Sequence, residues 1–374
     1  MKRVFAAFLC FVLSLVFLAG CGKRAQTASA AVEVLSGQGE TDGSLGMASQ
    51  NQGGGEVTQE AQFSIQLDGE LGIEPGMHIA VVARSAQGNY WKQMKKYMKE
   101  TVEYINGFYD LQGEDAIRVT FEGPDSEENV NDQINTIDAV LAENPSVLCL
   151  AAIDMNSCQA QLETARDNGI PVVLFDSRVK CDMDTAFCAT DNKEAGARAA
   201  QELCSAMEGK GKLAVFAHAK YSQTSEERLK GFRKEIKKNH PDVEAVCEYT
   251  EGREDDMESV VLDLLEDGQV RGIFCTSQGI AEKVLSVLKE HPEKEVALVG
   301  FDAGAQQMQA IQEGRQLGAI VQNIPCMASQ TIWLAVCAGL SEPLSDLEKY
   351  EKVDYMWVDG QNLEEVRQSG LFYD

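Results

Sequence analysis

The chain has 374 residues, of which 25% are charged and 44% hydrophobic, and its formal net charge is −26. An excess of acid on this scale has the wrong sign for gripping a phosphate backbone, so nucleic acid is excluded as a partner. The same acidity describes a well-hydrated surface and identifies neither a fold nor a site.

Lys2 and Arg3 precede a run from Val4 to Leu18 that is apolar apart from Ser14, the pattern of a secretory signal peptide. The run is too short to span a bilayer comfortably. Leu18-Ala19-Gly20-Cys21 resembles a bacterial lipobox, which implies removal of residues 1–20 and attachment of a diacylglyceryl group to the sulfur of Cys21. That cut removes two cations and no anion, taking the formal charge from −26 to −28. Buried acyl methylenes contribute about 0.8 kcal/mol each, so two or three chains anchor a protein without a spanning helix. No later stretch approaches twenty continuous apolar residues, and residues 21–75, rich in Gly, Gln, Ser, Thr and Glu with Gly53-Gly54-Gly55 in the middle, read as a flexible tether. Roughly 300 residues then remain, more than one small core, so two lobes are expected.

Of the eleven cysteines, Cys10 leaves with the signal and Cys21 takes the lipid, which leaves an odd number that cannot all pair internally. Cys149, Cys247 and Cys275 lie in apolar runs, where a thiol acts as a small hydrophobe. Cys181 and Cys188 are spaced to bridge across a short loop, while free thiols would suit a poorly oxidising habitat. With no CxxC or CxxxH spacing, zinc is not expected, nor is any other metal or cofactor.

The body opens with a β-rich run, His78 to Ala83, followed by a helical pattern from Asn89 to about Asn106. Apolar runs recur at Ile117–Phe121, Ser146–Ala152, Pro171–Phe175, Phe187–Thr190, Lys212–Ala217, Val243–Tyr249, Arg271–Thr276, Glu295–Phe301 and Leu317–Gln322, mostly separated by amphipathic helix-length segments. This alternation predicts an α/β fold with parallel sheets covered on both faces. Right-handed crossovers then collect the strand-to-helix loops of each sheet at its carboxyl edge, where ligands bind.

Six segments stand in order along the body: Ile79–Val82 followed by Asn89-Tyr90-Trp91; Gly169–Asp176; Ala189–Asn192; Arg228–Phe232; Val299–Asp302; and Ala319–Gln322. Together they are similar to the type I periplasmic binding proteins of the ribose-binding family. The resemblance covers the body from about His78 to the C-terminus. It implies two Rossmann-like lobes joined by a three-segment hinge near Thr190/Asp191, Gln322/Asn323 and Glu348–Val353. The lobes would comprise residues 76–190 with 323–350 and residues 191–322 with 351–374, and a strand over Val353–Val358 would return to the second lobe.

In that family a small sugar lies between the lobes. Sugar C–H faces pack on aromatic rings for about 1 kcal/mol beyond burial, and hydroxyls favour planar bidentate partners. The resemblance places Tyr90 and Trp91 as aromatic walls, Asp176 and Asp302 as carboxylates at the carboxyl edges of the two sheets, Arg228 as a fork donor, and Gln322 as a ligand partner or a brace for the hinge. Phe301 fits cleft and core alike. Arg84 stands where ribose binders carry serine, and would meet an acidic group if it points inward. Gly88, Ala151 and Ser277 replace asparagines, and Ser177-Arg178 displaces the arginine that follows the family aspartate by one step. These departures argue against ribose itself and for a larger or differently substituted ligand.

The function implied is capture of a small polar solute, a sugar or sugar-like molecule, by a lipid-anchored extracytoplasmic monomer that delivers it to the permease of an ABC importer; the alternative keeps the fold and signals occupancy to a membrane histidine kinase or chemoreceptor. An enzyme is not expected, because there is no GxSxG elbow, phosphate loop or HExxH, and His78, His218, His240 and His291 are scattered. Lactose-repressor-type regulators share such a body, but this chain has a signal and a polar tether where they carry a DNA-binding helix-turn-helix.

Overall fold

A computed structural model describes residues 65, 67, 71–266, 268–340, 350–369 and 371–372. The signal peptide, Cys21 and most of the expected tether lie outside the described residues.

Strands β1 (His78–Val82), β3 (Val147–Leu150), β4 (Val172–Phe175) and β5 (Ala186–Thr190) are buried at every position, as continuous apolar sequence requires of strands covered on both faces. Edge strand β2 (Arg118–Glu122) buries only Phe121. These five and β11 (Tyr350–Val353) form the sheet of lobe 1, in the order β11-β5-β4-β3-β1-β2 and parallel throughout. Lobe 2 repeats the plan with β6 (Gly211–Ala217), β7 (Val243–Tyr249), β8 (Val270–Cys275), β9 (Ala297–Phe301), β10 (Gly318–Gln322) and β12 (Tyr355–Asp359), ordered β12-β10-β9-β8-β6-β7. Within it only β12 runs antiparallel, against β10.

Helices α1 (Asn89–Phe108), α2 (Val130–Ala142) and α3 (Gln159–Asp167) cover lobe 1, while α4 (Asn192–Ala206), α5 (Gln223–Asn239), α6 (Met257–Leu265), α7 (Gln278–Glu290) and α8 (Ala305–Gln312) cover lobe 2. Helix α9 (Ile324–Ala338) returns to lobe 1 and packs on α1 and β4, and the short α10 (Leu363–Gln368) closes lobe 2 against α8 and β12.

The chain passes between the lobes at Asp191 and at Asn323, and each of these residues also starts a helix. Asp191 Oδ1 accepts from the amides of Lys193 and Glu194, and Asn323 Oδ1 accepts from that of Cys326, with Pro325 in the first turn. The third crossing differs from expectation. Tyr350–Val353 pairs in parallel with Phe187–Thr190, so it belongs to lobe 1 and the chain crosses at Asp354, beyond the expected Glu348–Val353. The lobe boundary therefore moves from 350/351 to 353/354, and the returning strand is Tyr355–Asp359. A four-residue edge strand has no periodicity of its own; its partner decides where it sits.

Helices α4 and α5 pack unusually closely. A Cβ on Gly196 would lie 2.0 Å from the carbonyl oxygen of Arg228, and one on Gly231 would lie 1.9 Å from that of Lys193. Each glycine admits the backbone of the opposite helix, and this contact holds Asn192 and Arg228 beside one another. Gly196→Ala is expected to force the helices apart and cost about 1–3 kcal/mol or more, as overpacking does. Urea denaturation measures it, and an unchanged midpoint would show that the contact yields freely.

Candidate functional site

Asp176, Asp302 and Gln322 come from the ends of strands, where the sheets stop and side chains turn into the space between the lobes, while Tyr90 and Trp91 lie in the first turn of α1 and Arg228 in α5. Asp176 directly follows β4 and Asp302 directly follows β9, and both adopt left-handed backbone, φ 55° and 70°. In each case the amide stays tied to the neighbouring strand: Asp176 N donates to Cys188 O at 2.9 Å and Asp302 N to Ile320 O at 2.7 Å. The two lobes thus present carboxylates by the same local device, a strained aspartate at the carboxyl edge of a parallel sheet.

The cleft encloses 440 Å³ and is lined by Arg84, Tyr90, Trp91, Asp176, Arg228, Asp302 and Gln322 among others. Tyr90 donates to Asp176 Oδ1 at 2.8 Å, and Gln322 Nε2 donates to Asp302 Oδ1 at 2.9 Å. Both Oδ2 atoms carry no hydrogen bond among the described residues, which leaves one carboxylate oxygen from each lobe for a ligand. Trp91 stands edge-on to Tyr90, with ring centroids 4.9 Å apart, and donates from Nε1 to Glu127.

Two guanidiniums face these carboxylates. Arg228 is nearly sealed from solvent; its Nε donates to Asn192 Oδ1 and its Nη1 to Thr276 O, each at 2.7 Å. Arg84 points inward and pairs with Glu127 at 3.0 Å, so the acid it meets belongs to its own chain. From lobe 1 it also reaches Thr224 Oγ1 of lobe 2, at 3.4 Å. The backbone of Met155 makes a second bridge between the lobes, donating to Tyr221 O at 2.8 Å.

Phe301 is a correction. It is fully buried in the core of lobe 2 and does not line the cleft, and the Arg228 guanidinium lies 3.4 Å from its ring centroid. It supports a cleft residue from behind, because alternation along β9 turns residue 301 inward and leaves Asp302 to face the ligand space. Ala151 is likewise sealed beneath the cleft, under the Gln133 amide, and adds no room to it, whereas Gly88 and Ser277 do line it. Arg178 points elsewhere, stacked on Phe187 and paired with Asp184 at 3.1 Å, and Ser177 bonds Ala152 O. Cys181 and Cys188 are both free thiols; Cys188 is buried and directed at Met327 O.

His218, Glu127 and Asn192 were not among the expected site residues. His218 has a signal after the fact, since it follows β6 as Asp176 follows β4. Its Nδ1 lies 2.8 Å from Thr276 Oγ1 and its Nε2 3.1 Å from Ser222 Oγ. Glu127 has none, lying in a loop with other acids on either side. Among the described residues no cluster of His, Cys, Asp and Glu is arranged to hold a metal ion.

Burial sets the electrostatics of the cleft. It raises the pKa of Asp302 to about 6, against the lowering pull of Arg228 and the Gln322 hydrogen bond. Asp176 is shifted upward by the same cause, opposed by Arg84, Arg228 and the Tyr90 hydroxyl. Burial holds the His218 imidazole well below its usual value, with Arg84 and Arg228 adding to the effect, so it is neutral at pH 7.

The family described as periplasmic binding protein domain matches residues 79–339. The chain belongs to that family. A xylitol-binding protein of Mycolicibacterium smegmatis is 20% identical over 198 residues, a match that covers 52% of this chain and 56% of that protein. The chain thus spans little more than half the length of this curated relative. An arabinose-binding protein from Geobacillus stearothermophilus is 25% identical, with a TM-score of 0.65 over 78% of this chain and 99% of that one. A carbohydrate transporter solute-binding protein from Agrobacterium radiobacter, in complex with D-arabinose, is 19% identical, with a TM-score of 0.71 over 79% and 98%. A solute-binding protein from Agrobacterium vitis with bound D-fucose is 23% identical, with a TM-score of 0.71 over 79% and 100%. The two Agrobacterium structures share the two-lobed fold.

A carboxyl whose pKa is raised on folding favours the protonated protein. Its contribution to stability is complete below about pH 4, the ordinary carboxylate value, and is lost as pH rises through about 6. Asp302→Asn is therefore expected to gain stability relative to the parent chain between pH 5 and pH 7. Urea midpoints at the two pH values measure it, and equal differences at both would show that Asp302 is not held protonated.

Proposed function

We propose that this protein captures a small polyhydroxylated solute, a sugar or sugar-like molecule, in the interlobe cleft and delivers it to a separate permease of an ABC importer. The observation that carries this is the pair of free carboxylate oxygens, one from each lobe, on opposite sides of a 440 Å³ cleft walled by Tyr90 and Trp91. Adjacent hydroxyls can donate to Asp176 and Asp302 and accept from the Arg228 and Arg84 guanidiniums, and a sugar C–H face can lie on the aromatic wall. A volume of this size suits a small ligand. Because the ligand partners come from both lobes, binding favours the closed arrangement, a state that a permease can distinguish from the open one. The structural neighbours that hold D-arabinose and D-fucose support the ligand class, and the substitutions at residues 84, 88 and 277 support a cargo other than ribose.

The same reading places the protein outside the cytoplasm, held at the membrane by lipid on Cys21; Ile65 and Leu67 are buried in the hydrophobic core, so the tether is shorter than the residues 21–75 expected of it. Membrane fractionation tests the anchor: Cys21→Ala is expected to move the protein to the soluble fraction, and unchanged sedimentation would sink that part.

Thermal unfolding of the purified chain against pentoses, hexoses, polyols and sugar acids tests the cargo class. A ligand at 100 times its Kd should add about 2.7 kcal/mol of stability. Asp176→Ala and Asp302→Ala should each abolish the effect. Stabilisation that survives both changes would place the site elsewhere, and turnover of a sugar by the protein would overturn the reading.

A further inference from the structure

A second cavity, of 740 Å³, lies on the hinge side of the molecule, away from the cleft just described. Arg178, Phe187 and Tyr350 of lobe 1 form one wall, and α4 and α5 of lobe 2 form the other. Phe187 and Tyr350 stack with ring centroids 5.5 Å apart, and Tyr350 remains 45% exposed, so an aromatic face is open to the cavity.

Its charges are unevenly matched. Every acid in the lining is engaged: Glu227 pairs with Lys193 at 2.7 Å, Glu194 with Lys352 at 2.5 Å, Glu235 with His240 at 3.5 Å, and Asp191 caps α4. Arg178 is taken by Asp184. Lys230, Lys234 and Lys238 are exposed and have no ion-pair partner among the described residues. They succeed one another at four-residue intervals on one face of α5, a spacing at which like charges repel. In a chain of net charge −26 such a stripe stands out.

An independent observation comes from Gln223, which lines this cavity and not the cleft. It is only 9% exposed, and its Oε1 is buried without a hydrogen-bond partner. A buried acceptor left unsatisfied is destabilising, and a donor arriving with a ligand would remove that penalty.

We propose that the hinge-side cavity is a second ligand site, for a small organic anion bearing a phosphate or carboxylate group, a hydroxyl or N–H donor, and a planar ring. The anionic group meets Lys230 and Lys234, the donor meets Gln223 Oε1, and the ring lies on Tyr350. The site is independent of the cleft in its residues, and its ligand would touch both lobes.

Isothermal titration of the full chain with adenosine monophosphate, glucose 6-phosphate and 4-hydroxybenzoate tests this at low and moderate salt. The expected result is that adenosine monophosphate or 4-hydroxybenzoate, each carrying all three features, binds with an affinity that falls several-fold as salt is raised. Lys230→Gln with Lys234→Gln should weaken that binding by tenfold or more, and Tyr350→Ala should weaken the ring-bearing probes more than glucose 6-phosphate. Asp302→Asn, which alters only the cleft, should leave it unchanged. No binding by any probe would overturn the proposal, as would binding that the lysine pair does not affect or that Asp302→Asn abolishes. Lys230, Lys234 and Tyr350 are exposed side chains, so loss of fold is not the expected cause of an effect there, and circular dichroism of each variant, Asp302→Asn included, checks it.

Discussion

Charge held out of water in the seam between two lobes is the constraint from which the rest of this structure follows. Asp176, Asp302, Arg84 and Arg228 are each less than a tenth exposed. A buried ion is tolerable only when opposite charge and hydrogen bonds replace its lost hydration. Here no residue does this alone. Arg228 leans on Phe301 and is held by Asn192 and Thr276 O, Asp302 is held by Gln322, and Asp176 by Tyr90. These supports come from both sheets and from residues flanking the crossings, so the seam keeps its charges only while the lobes stay correctly placed. A ligand with several hydroxyls would complete the exchange by donating to the carboxylate oxygens that the protein leaves open.

The precision of the supports depends on features far from any ligand. The reciprocal glycine contact between α4 and α5 lets Asn192 approach Arg228 within hydrogen-bond distance, and the left-handed backbone at both aspartates aims their side chains across the seam. Asp191 and Asn323 each end one lobe and cap the helix by which the chain enters the other. A small rotation of one lobe on the other can therefore be absorbed at the crossing while the helix behind it stays capped.

Much of this was legible in the sequence. Strands covered on both faces are continuous apolar runs, and the residue that ends or follows such a run lies at the carboxyl edge; Gln322 ends one, Asp176 and Asp302 follow theirs, and the same rule points to His218 after β6. What was not legible depends on partners remote in sequence. Phe301 and Asp302 are adjacent, and only the packing of α4 and of the Arg228 side chain over β9 makes one a prop and the other a cleft residue. Glu127 matters because a loop brings it beside Arg84 and Trp91, which no local pattern signals. The third crossing was placed too early because β11 is recognisable only through its register with β5, and the free state of Cys181 and Cys188 is likewise a matter of tertiary geometry.

The interleaved topology has a consequence for how the protein is made. Helix α9 and strand β11, which finish lobe 1, come from residues 324–353, after the whole of lobe 2 apart from β12 and α10 has been laid down. Strand β11 must find β5 across more than 150 residues of intervening chain. Contacts of such long sequence separation form slowly, because a large loop must close before they repay its entropy. Lobe 1 therefore waits, with the edge of β5 and the α9-facing side of its sheet uncovered, until residues 324–353 arrive. Lobe 2 is contiguous from residue 192 to residue 322 and at that point lacks only β12 and α10. The edge of β5 is thus the part of lobe 1 that stays open longest to a wrong pairing.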